Sequence, residues 1–236
     1  MSRSVRTTVI LLFLIVALIA GVTIGRQWYA RQDPHGDAWV DQLDARQAPP
    51  DLRAQRVWIH EPARTIHPFS LTDASGATFA NVQLQGAWTF AFVGYTYCPD
   101  ICPTTLAELR DVLPRLDPAL PVPRVLLITA DPARDTPARL REYLDFFNPA
   151  FLGVTGPLPA LEVFARDLNA VFLQRDDGQG NVLVDHSAHI ALIGPEGGLR
   201  AILQPPLKAE DIAQAYAAIV RWHSQAAAPS APPAGT

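Results

Sequence analysis

A continuous apolar run at residues 87–95, with the sequence AWTFAFVGY, constrains the fold more than any other feature of the chain. Its length is typical of a β-strand, and its lack of alternation favours a strand buried on both faces. Such strands occur in sheets that helices cover on both sides. Cys98 follows this run after two intervening residues, and Cys102 comes four residues later, so the sequence predicts a pair of sulfur atoms at the exit of a central strand.

The rest of the globular region alternates strand and helix patterns. The run RVLLIT at residues 124–129 predicts a second buried strand, and residues 69–82 and 189–203 each have the pattern of a strand, a tight turn and a return strand. Helical patterns occur at residues 104–116, 137–147, 159–168 and 208–222. This order predicts an α/β fold with a thioredoxin-like central mixed sheet flanked by helices.

The N-terminal residues predict a membrane anchor. Residues 7–25 carry no charge, and a helix of that length can just span a bilayer. A cleaved signal peptide usually has a shorter apolar core and a small-residue cleavage site, which this segment lacks. We therefore expect a single-pass, uncleaved transmembrane helix within residues 1–25. The globular part is then expected on the exported, periplasmic side of a bacterial-type inner membrane.

Composition divides the remainder of the chain. Residues 26–56 are polar and contain Asp33-Pro34 and Pro49-Pro50, as expected of a spacer. Residues 57–224 form the predicted thioredoxin-like domain, and residues 225–236 a disordered tail rich in alanine and proline. The net charge of -4 argues against nucleic acid as a partner, because nucleic-acid binding needs a basic surface.

Two cysteines are too few for a disulfide scaffold or for a four-cysteine zinc or iron–sulfur site. At a helix N-terminus, Cys98 and Cys102 would lie one turn apart, close enough for a disulfide or for holding one metal ion together. The helix dipole favours thiolate there, and thiolates select copper(I) or zinc. A plain disulfide remains an alternative, although so short a loop stabilises little and suits redox switching better.

A third metal ligand would most plausibly be an imidazole. Six histidines are present, and four of them fit solvated or helix-capping roles: His35, His60, His67 and His223. His186 and His189 precede an apolar strand, and their spacing puts them on opposite faces if extended. His186, in the predicted loop beside Asp185, is the better candidate for a ligand.

The loop after the second buried strand contains further polar candidates, because the carboxyl ends of strands are where α/β sheets build sites. Asp135 and Thr136 fit a helix-capping role at least as well as a site role. Asp131, earlier in this loop, is the better candidate for a site role.

Three segments together resemble the Sco/SenC family of membrane-anchored copper chaperones for cytochrome c oxidase assembly. The segments are FVGYTYCPDICPTT at 92–105, ITADPARDTPARLREYL at 128–144 and VDHSAHIALIGPEG at 184–197, and the resemblance covers roughly residues 60–224 plus the anchor. It implies a thioredoxin-like fold and a copper ion held by Cys98, Cys102 and His186. It also implies a place for Asp131 near the metal or a partner, and it gives no support to His189.

The resemblance implies delivery of copper to the dinuclear copper centre of cytochrome c oxidase subunit II. Expected partners are that subunit, other copper-handling proteins and, through residues 7–25, the membrane. The alternative is a thiol–disulfide oxidoreductase that keeps the copper-site cysteines of its partner reduced, with Cys98 attacking and Cys102 resolving. A redox or copper sensor is a third class, although no signalling module accompanies the domain.

Overall fold

The computed structural model describes residues 15–25, 27–28, 48–176 and 182–227. The chain divides into two units, one of Met1–Ala48 with Gln225–Thr236 and one of Pro49–Ser224. All the strands described below lie in the second unit.

The predicted anchor is described only in part. Residues 15–25 are helical and exposed, whereas residues 1–14 lie outside the described residues. Within the part of the chain that the structure describes, no helix is both long and apolar enough to cross a bilayer. The transmembrane helix and the location of the domain therefore stay predictions. Most of the predicted spacer and residues 228–236 of the predicted tail also lie outside the described residues.

The central sheet has eight strands in the order β1-β10-β9-β4-β5-β6-β2-β3, and β7 and β8 form a separate hairpin. Their bounds are β1 Val57–Arg64, β2 Ser70–Asp73, β3 Thr78–Ala80, β4 Thr89–Gly94, β5 Arg124–Thr129, β6 Leu152–Thr155, β7 Phe172–Asp176, β8 Val182–His186, β9 Ile190–Ile193 and β10 Leu199–Leu203. The helices of the domain are α1 Asn81–Leu84, α2 Ile101–Val112, α3 Pro137–Asp145, α4 Leu158–Asp167 and α5 Ala209–Ala227, with short 3-10 turns at Arg53–Gln55 and Leu113–Arg115.

The two predicted central strands are confirmed. All residues of β4 are buried, and so are all residues of β5 except Arg124. β4 pairs with β5 in parallel and β5 with β6 in parallel, whereas the other pairings are antiparallel. A mixed sheet with parallel strands at its centre and helices around it is the thioredoxin-like arrangement that the sequence predicts.

Several elements differ from the sequence prediction. β1 is an edge strand in which a single residue is buried, so it lacks the apolar run that would have revealed it, and β6 has only four residues. The hairpin of β7 and β8 was also missed, because polar residues interrupt both of its strands. The helix α5 continues to Ala227, past the predicted start of the tail at residue 225, because Ser-Gln-Ala-Ala adds no helix breaker.

The register of β4 and β5 decides where the site can form. Gly94 pairs with Thr129, so the two strands end at the same height. The loop after β4 carries the cysteines, and the loop after β5 carries Asp131 and Asp135. These loops therefore meet at the carboxyl edge of the parallel strands, the edge at which sheets of this class build their sites.

Candidate metal centre

Three soft or borderline donors converge at this edge. The ligand atoms of Cys98, Cys102 and His186 all lie within 4.8 Å of one another, and among the described residues this is the group of histidine, cysteine and acidic side chains that could hold a metal ion. The His186 Nε2 lies 3.4 Å from the Cys102 Sγ and 4.0 Å from the Cys98 Sγ. Cys98 and Cys102 are both free thiols in this structure.

The first turn of α2 presents the two sulfurs differently. Cys98 lies in a turn in which its N–H donates to the Tyr95 carbonyl at 3.2 Å, and its side chain is partly exposed. Cys102 is the second residue of α2 and is only 1% exposed. Its N–H donates to the Cys98 Sγ at 3.4 Å, so a helix N-terminus points at that sulfur. The helix begins at Ile101, later than the start near Pro99 that the one-turn spacing assumed.

His186 is the last residue of β8, not part of a loop as the sequence suggested. Its Nδ1 lies 3.0 Å from the Ser187 carbonyl oxygen, which can only accept, so Nδ1 carries the proton. This leaves the Nε2 lone pair facing the sulfurs, as a metal ligand requires. The ring also packs edge-to-face against Tyr95, with centroids 5.9 Å apart.

The structure separates His189 from this cluster, as the spacing predicts. The His189 Nε2 lies 3.1 Å from the Leu168 carbonyl oxygen, whereas the His186 Nε2 faces the two sulfurs. Burial lowers the pKa of His189 below its usual range. His189 is therefore a half-buried residue that bonds to the backbone through its ring.

Asp131 does not belong to the donor cluster. It is 1% exposed, and its carboxylate pairs with Arg134. The Arg134 guanidinium in turn lies over the ring of Tyr97, 4.7 Å from the centroid, beside Cys98 in sequence. A role for Asp131 near the metal or a partner stays a prediction.

From the sequence, Asp135 and Thr136 both fit a helix-capping role at least as well as a site role, and the structure separates them. The Thr136 hydroxyl caps α3 by accepting from the Arg139 N–H at 3.2 Å. Asp135 is 0% exposed and instead accepts hydrogen bonds from Thr96 and Thr129, in the cysteine loop and at the end of β5. Its adjacency to Thr136 in the sequence gave no sign of this role.

Two further contacts of the site were also missed. Tyr95 packs on His186, and Gly94 has no room for a side chain, because a Cβ there would lie 2.7 Å from the Cys102 Sγ. A glycine inside a buried strand is a signal of close approach, and it could have been read from the sequence.

The two thiols have opposite acidities. The Cys102 thiol donates a hydrogen bond to Cys98 and lowers the pKa of Cys98 to about 4, with further help from the backbone N–H groups of Asp100 and Cys102. The same hydrogen bond, together with burial, raises the pKa of Cys102 far above its usual range. At neutral pH the reduced pair is therefore one thiolate and one thiol.

This difference predicts the reactivity of the reduced protein. Alkylation of Cys98 by iodoacetamide should change little between pH 6 and 8 and fall only as the pH approaches about 4, because Cys98 is deprotonated above that pH. An ordinary thiol with a pKa of about 8.5 would react roughly 80-fold faster at pH 8 than at pH 6. Cys102 should stay unmodified, because it is buried as a thiol.

Mass spectrometry of the alkylated peptides gives both rates. Cys102→Ser keeps a hydroxyl donor and should keep the flat profile, whereas Cys102→Ala removes the donor and should steepen it. A wild-type rate at Cys98 that rises about as steeply as that of an ordinary thiol would contradict the assignment.

The donor set fits copper(I). Three ligands around one ion, at bond lengths of about 2.0–2.3 Å, lie about 3.7–4.0 Å from one another, and the measured 3.4 and 4.0 Å to the His186 Nε2 are close to that spacing. Two thiolates with an imidazole are soft enough for copper(I), whereas structural zinc requires a fourth ligand. The cluster supplies no such ligand among the described residues.

Sequence comparison finds relatives among curated proteins. A protein from Stutzerimonas stutzeri that carries the name of a copper-binding protein is 40% identical over 154 residues, which cover 63% of this chain and 74% of that relative. The mitochondrial protein SCO2 of Saccharomyces cerevisiae is 39% identical over 133 residues, covering 55% of this chain and 44% of the relative. The match therefore spans less than half the length of the yeast protein.

Solved structures show the same fold. Arabidopsis thaliana ScoI with copper bound superposes with a TM-score of 0.62 at 28% identity, covering 68% of this chain and 99% of that one. Yeast Sco1 with copper bound superposes with a TM-score of 0.61 at 32% identity, covering 71% and 92%. The copper expected from the sequence is thus the ion bound in these relatives. The sequence profile of SCO1/SenC matches residues 59–221, and the chain belongs to the SCO1/SenC family.

Proposed function

We propose that this protein is a copper chaperone. It carries copper on Cys98, Cys102 and His186 and delivers it to the dinuclear copper centre of cytochrome c oxidase subunit II during oxidase assembly. The observation that carries the proposal is the convergence of these three donors within 4.8 Å. Copper in the solved Sco relatives supports the identity of the cargo.

The chemistry of the donors explains how the cargo is held. Thiolate sulfur is a soft ligand that suits copper(I), and the neutral imidazole of His186 adds a third bond without adding charge. Cys98 is already a thiolate at neutral pH, so copper has to displace a proton mainly from Cys102. The buried position of Cys102 keeps water away from one side of the ion.

Release uses the exposed side of the site. Cys98 is partly exposed, and its neighbours Pro99 and Asp100 are exposed. A partner thiolate can therefore approach along this side and replace the protein ligands one at a time. A site with three ligands leaves a coordination position open for that exchange, which a closed four-ligand site would not.

The proposed setting matches this role. Anchoring through residues 7–25 in a bacterial-type inner membrane would place the domain on the periplasmic side. Subunit II and other copper-handling proteins would then be reached without diffusion through the cell. Protease protection of the full chain in oriented vesicles tests this part of the proposal separately from metal binding.

Copper titration of the reduced full chain, kept in mild detergent, tests the cargo. We expect one copper(I) per chain, and His186→Ala should weaken binding by at least about tenfold, since it removes one of three ligands. His189→Ala is the matched control, because it removes a neighbouring imidazole that bonds the Leu168 carbonyl instead. Competition with a chromophoric copper(I) chelator measures the affinities.

Transfer completes the test of the function. Copper-loaded protein mixed with metal-free subunit II domain should give the absorption of the dinuclear centre. Stoichiometric binding that survives both His186→Ala and Cys98→Ser unchanged would overturn the proposed site. Binding without transfer would overturn subunit II as the acceptor.

A second candidate function is thiol–disulfide exchange, which the low pKa of the partly exposed Cys98 beside the buried Cys102 thiol favours. In it, the Cys98 thiolate attacks a partner disulfide and releases one partner thiolate. The Cys102 thiol loses its proton and closes the Cys98–Cys102 disulfide, which releases the second. His186→Ala separates the two functions, because it should leave this exchange largely intact while it weakens copper binding.

A further inference from the structure

The carboxylate of Asp135 is buried without a salt-bridge partner among the described residues. Asp135 is 0% exposed, and burial raises its pKa above the usual range. Three donors satisfy it: the Thr96 hydroxyl at 2.6 Å, the Thr96 N–H at 3.1 Å and the Thr129 hydroxyl at 2.5 Å. A buried carboxyl group is costly, and these hydrogen bonds offset the penalty only in this one arrangement.

The two threonines bond to the carboxylate in the same way. Each hydroxyl donates a hydrogen bond to one carboxylate oxygen of Asp135 and accepts one from an N–H group. The Thr96 hydroxyl accepts from the Arg139 side chain at 3.3 Å, and the Thr129 hydroxyl accepts from the Asp131 backbone N–H at 2.9 Å. Both threonines are buried. They differ in what they are attached to, because Thr129 ends β5 whereas Thr96 lies in the turn that carries Cys98.

Besides Asp135, side chains hold that turn through Tyr95, which packs on His186, and Tyr97, whose ring lies under Arg134 and Arg139. The turn begins where the Gly94 carbonyl accepts from the Ala130 N–H at 2.7 Å, and it closes where the Cys98 N–H donates to the Tyr95 carbonyl at 3.2 Å. Thr96 lies between these two points, and Asp135 holds it through both the backbone and the side chain. Asp135 is thus a buried group that bonds both the backbone and the side chain of the turn two residues before Cys98.

We propose that Asp135 is a positioning residue of the copper site, which acts through Thr96 to hold the turn that presents Cys98 to Cys102 and His186. The copper part of this inference rests on the proposed function. The geometric part concerns the two thiols alone, and it can be measured without metal.

Thr96→Val and Thr129→Val make a matched test in the reduced full chain. Each removes one hydroxyl that donates to Asp135 and keeps the side-chain volume. We expect Thr96→Val to weaken copper(I) binding by about tenfold, as loss of a residue that orients a ligand does. Thr129→Val should leave the affinity unchanged within error, even if it lowers the melting temperature by as much or more. Thr96→Ser keeps the hydroxyl and should restore wild-type affinity.

A second readout needs no copper. The rate at which Cys102 closes the disulfide, after Cys98 has formed a mixed disulfide with glutathione, reports on the distance and orientation of the two sulfurs. Thr96→Val should slow this closure by a factor comparable to its loss of affinity, and Thr129→Val should not. Thermal unfolding of each variant shows that the comparison is made on folded protein.

The results of these tests distinguish a positioning role of Asp135 from a merely structural one. Equal effects of the two valine variants, no effect of either, or a larger effect of Thr129→Val would each overturn the positioning role, since a merely structural role would track stability. If the wild type binds no copper, the proposed function fails while the closure rates still decide the role of Asp135.

Discussion

Cys102→Ser is expected to lower the copper(I) affinity of the reduced protein by more than about 100-fold, since even residues that only orient a ligand contribute 10- to 100-fold. Serine offers a hard oxygen that does not ionise at neutral pH, so it cannot replace a thiolate for copper(I). The substitution removes the sulfur atom that lies nearer to His186, 3.4 Å from the His186 Nε2. Chelator competition on the full chain measures the affinity, and thermal unfolding measures the stability.

Thr105→Ser is the matched control for that change. Thr105 is a buried polar residue of the same helix, 4% exposed and one turn further from its start. The control should lose some stability and keep the copper affinity. Wild-type affinity in folded Cys102→Ser would show that Cys102 is not a ligand and would leave a two-donor site of Cys98 and His186.

Gly94→Ala should weaken copper binding without touching a ligand. A Cβ on Gly94 would lie 2.7 Å from the Cys102 Sγ, and 3.1 Å from both Leu127 and Phe92, so the sulfur has to move. Overpacking of this kind destabilises by about 1–3 kcal/mol. We expect copper affinity to fall at the same time by about 10- to 100-fold, the range for residues that orient ligands.

Gly153→Ala separates packing from metal binding. Gly153 is a buried strand glycine of β6, and its Cβ would lie 2.8 Å from Leu144 and 3.3 Å from Leu140, away from any cysteine. The two substitutions should therefore lower the free energy of unfolding by similar amounts, measured by urea denaturation. Copper affinity should fall for Gly94→Ala alone, and equal affinities in the two variants would contradict the role assigned to Gly94.

The sequence predicted the central parts of the fold because their signals are local. The runs of β4 and β5 are apolar throughout, and Thr136-Pro137 begins α3 where a cap and a first-turn proline indicate. β1 and the hairpin of β7 and β8 could not be found in the same way. Their side chains do not alternate regularly between apolar and polar. These segments are strands because β1 pairs with β10 and β7 pairs with β8, and such pairing cannot be read from a local pattern.

The three candidate donors could be predicted from the sequence, whereas the residues that support them could not. Cys98, Cys102 and His186 follow from the spacing, the motif resemblance and the softness of sulfur, and the structure brings all three together. Asp135 acts through Thr96, which is 39 residues away in the chain, and that pairing depends on the register of β4 against β5. No local pattern encodes such a contact.

The hairpin of β7 and β8 has a consequence for the order of folding and loading. It is not hydrogen-bonded into the eight-stranded sheet, yet it carries His186, which lies 84 residues beyond Cys102. In an unfolded chain the two cysteines are close together but no third ligand lies near them. The three-ligand site therefore forms only when the domain folds. Bound copper then crosslinks chain segments that are distant in sequence and stabilises the folded domain. A free concentration a thousandfold above the dissociation constant would add about 4 kcal/mol to the free energy of unfolding, less whatever the unfolded dithiol retains.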